Sequence, residues 1–589
     1  MGNRISIPFL ESCRNISLIM KGNIEIHPVQ SVPEILTYVP GVDIRQRGPM
    51  GVQSDIGIRG GTFEQTLILV NGVKMIDPQT GHHSLNLPMN FDNIERIEVL
   101  KGPGTRIYGQ NAFSGAVNFI TGIPDKALNV NIYGGDFGLY GGSLSLSLPL
   151  KTYNQYISVS RNASNGYRHN SGYSINNIFY QSSIDIGGGE LNFLGGYTDR
   201  AFGANGFYAS PDYSEQYEEV QTGFVSMGYK KESGGFMYNP RIYWRNNSDN
   251  YSFIRDMPEV YKNLHTTNVA GLELNSNWEN SLGISGFGVE FRTERINGDW
   301  IRGGIPTKSN LDGFYRKILG VFAEHKFKFA DKWDLTPGIY LSNYTEFGWN
   351  YFPGIDIGYS LNEFIRLYGN IGKSYRVPNF YEMYYESPVE MGNPDLQPEE
   401  AITYEIGTRI TRKGYSIEAN VFIQVADNLI DWLFKPVTDS TSIWVSENIT
   451  SLVRKGLETA IILDLPVMLD GEYWINTMHV SYNFINSGLQ ENEYQSRYVL
   501  ENLKHQLIMG IDHKIFKKLF HNFKVRYNQR ENKDSYWIID SRIYWKQNDN
   551  IIIYAEATNL TDTEYVEVMT PMPGRWFRAG LKYHFPFHK

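Results

Sequence analysis

Tyr415–Val425 reads YSIEANVFIQV. Tyr415, Ile417, Ala419, Val421, Ile423 and Val425 fall on one side of an extended chain, and Ser416, Glu418, Asn420 and Gln424 on the other. A period of two marks a strand, because successive side chains of a pleated backbone point to opposite faces. The pattern recurs in both directions. In Tyr404–Thr411 (YEIGTRIT), Tyr404, Ile406 and Ile410 oppose Glu405 and Arg409. In Tyr140–Leu150 (YGGSLSLSLPL), Tyr140, Leu144, Leu146 and Leu148 oppose Ser143, Ser145 and Ser147. In Phe577–Phe585 (FRAGLKYHF), Phe577, Ala579, Leu581, Tyr583 and Phe585 oppose Arg578, Lys582 and His584. Segments of this kind, punctuated by Gly, Asn and Asp, fill residues 124–589 without a helical interruption.

Alternation alone also fits a soluble sandwich. Three features point elsewhere: the length of the run, aromatics near strand ends on the apolar face, and connections that are either very short or long. A lipid-facing barrel with girdles, short turns on one side and long loops on the other accounts for all three. In hydrocarbon every backbone polar group needs a partner, and a closed sheet supplies one without helices. With about 9–11 residues per spanning strand, plus connections, the region holds about 22 antiparallel strands. A barrel of that size has a lumen wide enough to need filling.

Residues 1–123 have a different texture and are the expected filler. Val32–Tyr38 (VPEILTY) suits a short helix ended by Pro40–Gly41. Short apolar strands follow at Asp55–Arg59, Thr66–Val70 and Ile94–Leu100, and Asn71–Gly72 signals a hairpin turn. The predicted fold is therefore an all-β transmembrane barrel, 124–589, around an N-terminal mixed α/β plug domain, 1–123.

Composition removes other classes. The 589 residues carry a net charge of −9 with no long basic run, which argues against a nucleic-acid partner. The single cysteine, Cys13, forms no internal disulfide and no thiolate zinc cluster. No stretch approaches 18 apolar residues, so no transmembrane helix is expected. Residues 5–20 carry Glu11 and Arg14 where a secretory leader needs an uncharged core. There is no G-x-S-x-G elbow, H-E-x-x-H or Walker A sequence, so an enzyme is not expected. A passive porin or adhesin would lack a plug.

Four blocks of the first region, in order, resemble the TonB-dependent outer-membrane receptors: Pro33–Arg45 (PEILTYVPGVDIR), Ile58–Gly61 (IRGG), Leu67–Lys74 (LILVNGVK) and Ile94–Gly122 (IERIEVLKGPGTRIYGQNAFSGAVNFITG). Tyr375–Glu399 is similar to the family's mid-barrel motif, and Asn559–Phe585 to its closing strands. The resemblance implies a multi-pass protein of the bacterial outer membrane in a Gram-negative cell. It implies a ligand bound on plug apices and external loops, and import driven by TonB pulling on an N-terminal box. Asn3–Pro8 (NRISIP) is similar to the segment just after that box. Signal and box are therefore expected upstream, and the chain as written is expected to bind ligand without transporting it. No nucleotide is expected; a surface lipoprotein capping the pore is left open.

The plug, the closing block and the overall size resemble the cobalamin-transporter type. Phe202–Tyr208 (FGANGFY) with Tyr217-Glu218-Glu219 adds to this. Cobalamin or another corrinoid is thus the expected cargo, with a ferric siderophore as the alternative. No histidine lies between Arg376 and Asn393, which counts against haem. Candidate ligand-binding residues on the plug apices are Arg47, Gln53, Gln79, His82 and His83; as neighbours in a loop, the two histidines lack the spacing of a helical chelate. Arg59, Glu95, Arg96, Glu98 and Arg106 are expected to tie plug to lumen wall by ion pairs. Asp212, Glu215, Glu218 and Glu219 read as an acidic loop that calcium could order; no other cofactor is expected.

Overall fold

A computed structural model describes residues 11–587 except 209–210, 330–331, 439–440, 450, 489–493 and 500; Asn3–Pro8 and the terminal His588–Lys589 lie outside the described residues. The plug contains β1 (Ile16–Met20), β2 (Val42–Gln46), β3 (Ser54–Ile58), β4 (Thr66–Val70), β5 (Val73–Lys74), β6 (Ile94–Lys101) and β7 (Gly115–Thr121). Five of them form a mixed sheet in the order β1-β6-β7-β4-β5, in which only β4 and β7 run parallel. The hairpin turn falls at Asn71–Gly72, with φ of 49° and 79°, the two positive angles that a twisted two-residue turn demands. The helix expected before Pro40 is a tighter 3-10 run, Pro33–Tyr38.

The chain then makes a closed barrel of 22 antiparallel strands, beginning with β8 (Ala127–Gly135) and β9 (Leu139–Pro149). Its last strand, Trp576–Pro586, pairs with β8, Arg578 opposite Gly135 and Pro586 opposite Ala127. No free edge remains in the ladder, as a lipid environment requires. Side-chain exposure is inverted relative to a soluble protein. Val421 and Ile423 are 47% and 43% exposed, whereas Asn420 and Gln424 are 3% and 5%. The apolar stripe therefore faces outward, toward acyl tails, and the polar stripe faces the plug. Among the described residues no helix is long and apolar enough to cross a membrane; the crossing is made by strands.

The two ends of the barrel differ. At one end Gly187–Gly188 and Gly234–Gly235, all with positive φ, close hairpins in two residues. At the other, residues 204–216 and 377–398 form long connections. The second of these holds a helix, Phe380–Tyr384, and one strand of a loop sheet built from Glu390–Met391, Thr441–Ile449, Leu429–Thr438 and Gln495–Ser496.

The plug meets the wall in two ways. On one side its core continues into barrel side chains Tyr156, Phe179, Leu194, Phe224, Tyr243 and Val269. On the other, charges meet. Arg59 binds Glu405 and Glu458, and Arg106 binds Asp356 at 2.5 Å. Arg14–Asp356 at 3.0 Å, Asp77–Arg245 at 2.9 Å, Asp43–Arg530 and Lys74–Glu290 add to these. Arg96 behaves differently from expectation. It pairs with Glu98 at 2.8 Å and Glu95 at 3.3 Å on its own strand, with Glu95 exposed. Arg96 and Glu98 sit two residues apart on one face of β6, so the nearer partner is local.

Candidate ligand-binding site

A cavity of about 440 Å³ lies between the plug apices and the long-loop end of the barrel. Its floor comes from the plug: Gln53, Phe63, Glu64, Gln79, His82 and His83 line it. Its rim includes Tyr213, Val260 and Val389, all exposed. Of the apex candidates, Gln53, Gln79, His82 and His83 border the cavity and Arg47 does not. Arg47 is buried below it, donating to the Phe207 carbonyl at 2.7 Å and pairing with Asp55 at 3.5 Å.

The two histidines are not loose loop residues. His82 stacks on Phe63 with centroids 4.1 Å apart, and its Nδ1 meets Asp55 Oδ1 at 2.6 Å. Burial lowers its affinity for a proton, and the Asp55 charge opposes that only in part. His83 is buried, with Nε2 at 3.5 Å from Asp249. Burial would discharge it too, but the hydrogen bond and charge of Asp249 prevail and push it up to about 9.

The walls are aromatic. Tyr381 stacks on Tyr385 at 4.1 Å and meets the edge of Trp432 at 5.6 Å. Tyr208 meets the edge of Tyr251 at 5.6 Å, and Tyr261 reaches Tyr385 by a hydroxyl contact of 3.2 Å. Tyr498 packs edge-on against Phe63 at 5.1 Å. Hydroxyl groups are committed as well: Tyr208 donates to Glu218 at 2.5 Å, and the same hydroxyl lies 2.8 Å from Gln53 Oε1. Asp431 fixes the segment that carries Arg497 and Tyr498, accepting from the backbone of Tyr498 and Val499, both at 3.1 Å. Arg497 is the one arginine among the described residues that line the cavity, and Glu390 neutralises it at 2.5 Å. Glu64, Glu218, Asp249 and Glu382 also line it. The lining is thus rich in tyrosine and acidic.

Glu64 accepts from Gly81 N at 2.6 Å and Thr80 Oγ1 at 3.3 Å. Burial, then the charge of Glu382, push its carboxyl up to about 8, against the opposing pull of Arg376. An unfolded glutamate titrates near 4.5. Between those values the folded plug holds a proton that the unfolded chain has released. Stability due to Glu64 is therefore complete below pH 4.5 and falls as pH rises toward 8. Glu64→Gln is expected to flatten that decline in denaturant midpoints measured across the range; an unchanged slope would assign it elsewhere.

The four acidic residues of the expected calcium loop do not converge. Glu218 points into the lumen and the adjacent Glu219 points out to Asn250 at 3.0 Å. Glu215 meets His169 at 2.7 Å on the surface, and Asp212 is exposed. Neighbours on a strand face opposite ways. The wall residues Tyr251, Tyr261, Tyr381, Tyr385, Trp432 and Tyr498 were missed by sequence reasoning. One signal was present: the aromatic density of Phe380–Tyr385 (FYEMYY).

A plugged barrel with a lined cavity on its long-loop side is a gated outer-membrane receptor, not an open pore. The chain belongs to the TonB-dependent receptors: residues 118–560 match the family described as TonB dependent receptor-like, beta-barrel, and residues 10–116 match the TonB-dependent Receptor Plug Domain. It is similar to the vitamin B12 transporter BtuB of Vibrio vulnificus, 22% identical across 99% of this chain and 94% of that one. BtuB of Photobacterium profundum is 21% identical with the same coverage. Among solved structures, the siderophore receptor PirA of Pseudomonas aeruginosa superposes with a TM-score of 0.76 at 18% identity, covering 97% of this chain and 99% of that one. That similarity concerns the fold. As a family, these receptors sit in the outer membrane of Gram-negative bacteria, work with TonB and take small-molecule ligands.

Proposed function

We propose that this receptor imports a bulky amphipathic nutrient without net negative charge, a corrinoid such as cobalamin. The observation that carries this reading is the lining itself: tyrosine and tryptophan rings interleaved with carboxylates, and an arginine already neutralised by Glu390. Rings offer large apolar contact with a polar tip at low entropic cost. They suit the flat macrocycle and peripheral amides of a corrinoid. A ferric catecholate siderophore is a multiple anion, and the one arginine lining the cavity among the described residues is already held by Glu390, which leaves such a ligand no guanidinium to pair with. The resemblance to the B12 transporters over almost the whole chain supports the same choice.

In this reading ligand settles on Gln53, Gln79 and His82 from outside, with the plug closing the path beneath. TonB then draws on the N-terminal segment, the plug shifts and the ligand moves inward. Trp432, on the cavity wall, supplies the test. Titrating cyanocobalamin into detergent-solubilised protein is expected to quench tryptophan fluorescence saturably at micromolar ligand. No response at that concentration would remove the corrinoid, and tighter binding of a ferric catecholate would replace it with the siderophore reading.

A further inference from the structure

At the floor of the cavity three side chains from distant parts of the chain meet. His83 comes from the plug apex, Glu218 from the strand Tyr217–Ser233 and Asp249 from the strand Phe236–Ser252. One donor atom from each lies within 4.8 Å of the other two, and all three residues are buried. The wall pair is set by register. Glu218 stands opposite Tyr251 and Val220 opposite Asp249, so the two carboxylates are diagonal neighbours on the lumen face. Two carboxylates buried side by side repel; protonated His83 supplies one positive charge, and a divalent ion in the proton's place supplies two.

The hydrogen bonds leave donors over. Asp249 Oδ2 accepts from Gln79 Nε2 at 2.8 Å, and Glu218 Oε2 accepts from Tyr208 at 2.5 Å. Asp249 Oδ1 and Gln79 Oε1, although buried, have no hydrogen-bond partner among the described residues. The 3.5 Å between His83 and Asp249 is long for a strong charge-assisted bond. An imidazole, two carboxylates and a spare amide oxygen form a mixed nitrogen–oxygen donor set.

We propose that His83, Glu218 and Asp249 bind a divalent first-row transition metal that clamps the plug apex to the barrel wall under the cavity. Such an ion holds its donors at about 2.0–2.2 Å in a tetrahedral shell, hence about 3.4 Å from one another; side-chain rotation within the cluster closes that gap. The imidazole favours zinc, cobalt or nickel over calcium, which seeks six to eight oxygens. Ligation requires neutral His83, so the ion takes the place of a proton there. The ion bridges a loop of the plug and two strands of the wall, and opposes plug displacement until it leaves or its ligands are disturbed from above.

The test uses the full chain in detergent, stripped with chelator and titrated with Co²⁺ alone, read by visible absorption, with Zn²⁺ as competitor. One equivalent is expected to bind, with affinity reduced at least tenfold in Asp249→Asn and in Glu218→Gln. Glu219→Gln, on the outer face, is expected to bind as the wild type does. Heat-dependent gel mobility reports whether each variant keeps its barrel. Absence of saturable Co²⁺ binding, or equal affinity in the Asp249→Asn and Glu218→Gln proteins, overturns the site; displacement by equimolar Ca²⁺ overturns the choice of metal. Because the metal is the probe, the result is separate from cyanocobalamin quenching.

Discussion

Arg59→Ala is expected to turn a closed barrel into a leaky one. Arg59 leaves β3 with φ of 52°, a left-handed turn that aims its guanidinium at the wall. There every face of the fork is used. Nη1 and Nη2 each reach Glu405 at 3.1 Å, while Nε and Nη2 reach Glu458 at 3.0 and 2.8 Å. The guanidinium also lies over the Phe422 ring, 4.4 Å from its centroid. Truncation would take the arginine from buried Glu405 and leave Glu458 with the more distant Lys101; breaking a buried pair in this way costs about 3–5 kcal/mol. Glu458 keeps Lys101 at 3.8 Å and the neutral Asn15 at 2.6 Å, and Glu405 keeps the neutral Asn370 at 3.0 Å. Planar-bilayer recordings are expected to show a nearly closed wild type and frequent openings in the variant. If charge is the cause, Arg59→Met combined with Glu405→Gln, Glu458→Gln and Lys101→Met should close the pore again, since Lys101 also belongs to the cluster and removing all partners of a buried ion cluster together is close to neutral. Leakage that persists in this combined variant would move the cause to packing against Phe422.

What the sequence disclosed follows from what is local. Period two survives in any strand, so the barrel, its inverted faces and its approximate strand number were legible from stretches such as Tyr415–Val425. The Asn71–Gly72 turn was legible for the same reason. Pairings that close over hundreds of residues were not. Arg59 and Arg106 were read as wall contacts because an arginine in a buried block needs a carboxylate, yet nothing local named Glu405, Glu458 or Asp356. Charges along one strand misled in two ways. Arg96 found its partners on its own strand, and Glu218 and Glu219, adjacent in a run read as one loop, ended on opposite sides of the wall. Phe422, apolar on the polar face of its strand, went unread, and its role as a platform for Arg59 is visible only in the fold.

The cavity should lose most of its hold on ligand when one ring is removed, and Tyr381 is the ring. The helix that carries it begins with a capping box: Asn379 Oδ1 accepts from Glu382 N at 2.7 Å, and Glu382 accepts from Asn379 N at 2.9 Å. Arg376 grips Glu382 at 2.8 and 3.0 Å and Glu399 at 2.6 and 2.9 Å. Two further helix amides reach the plug: Phe380 N donates to the Pro78 carbonyl at 2.9 Å and Tyr381 N to that of Gln79 at 3.3 Å. Loop and plug apex therefore present one continuous surface, with Tyr381 held between Tyr385, Trp432 and the Glu390 carboxylate, to which its hydroxyl donates at 2.6 Å. A packed aromatic anchor at the centre of a site is worth about 2–4 kcal/mol, so Tyr381→Ala is expected to weaken cyanocobalamin binding by about 30- to 1,000-fold in equilibrium dialysis. Tyr381→Phe keeps the ring and forfeits one hydrogen bond to a charged group, about 1.5–3 kcal/mol when buried. That bond lies within the protein and Arg497 stays on Glu390, so its loss falls mainly on stability and should change affinity by no more than about tenfold. A large effect of alanine with a small effect of phenylalanine assigns the binding energy to ring contact. Equal effects would assign it to the Glu390 network, and an alanine variant that binds as tightly as the wild type would show that ligand does not rest on this wall.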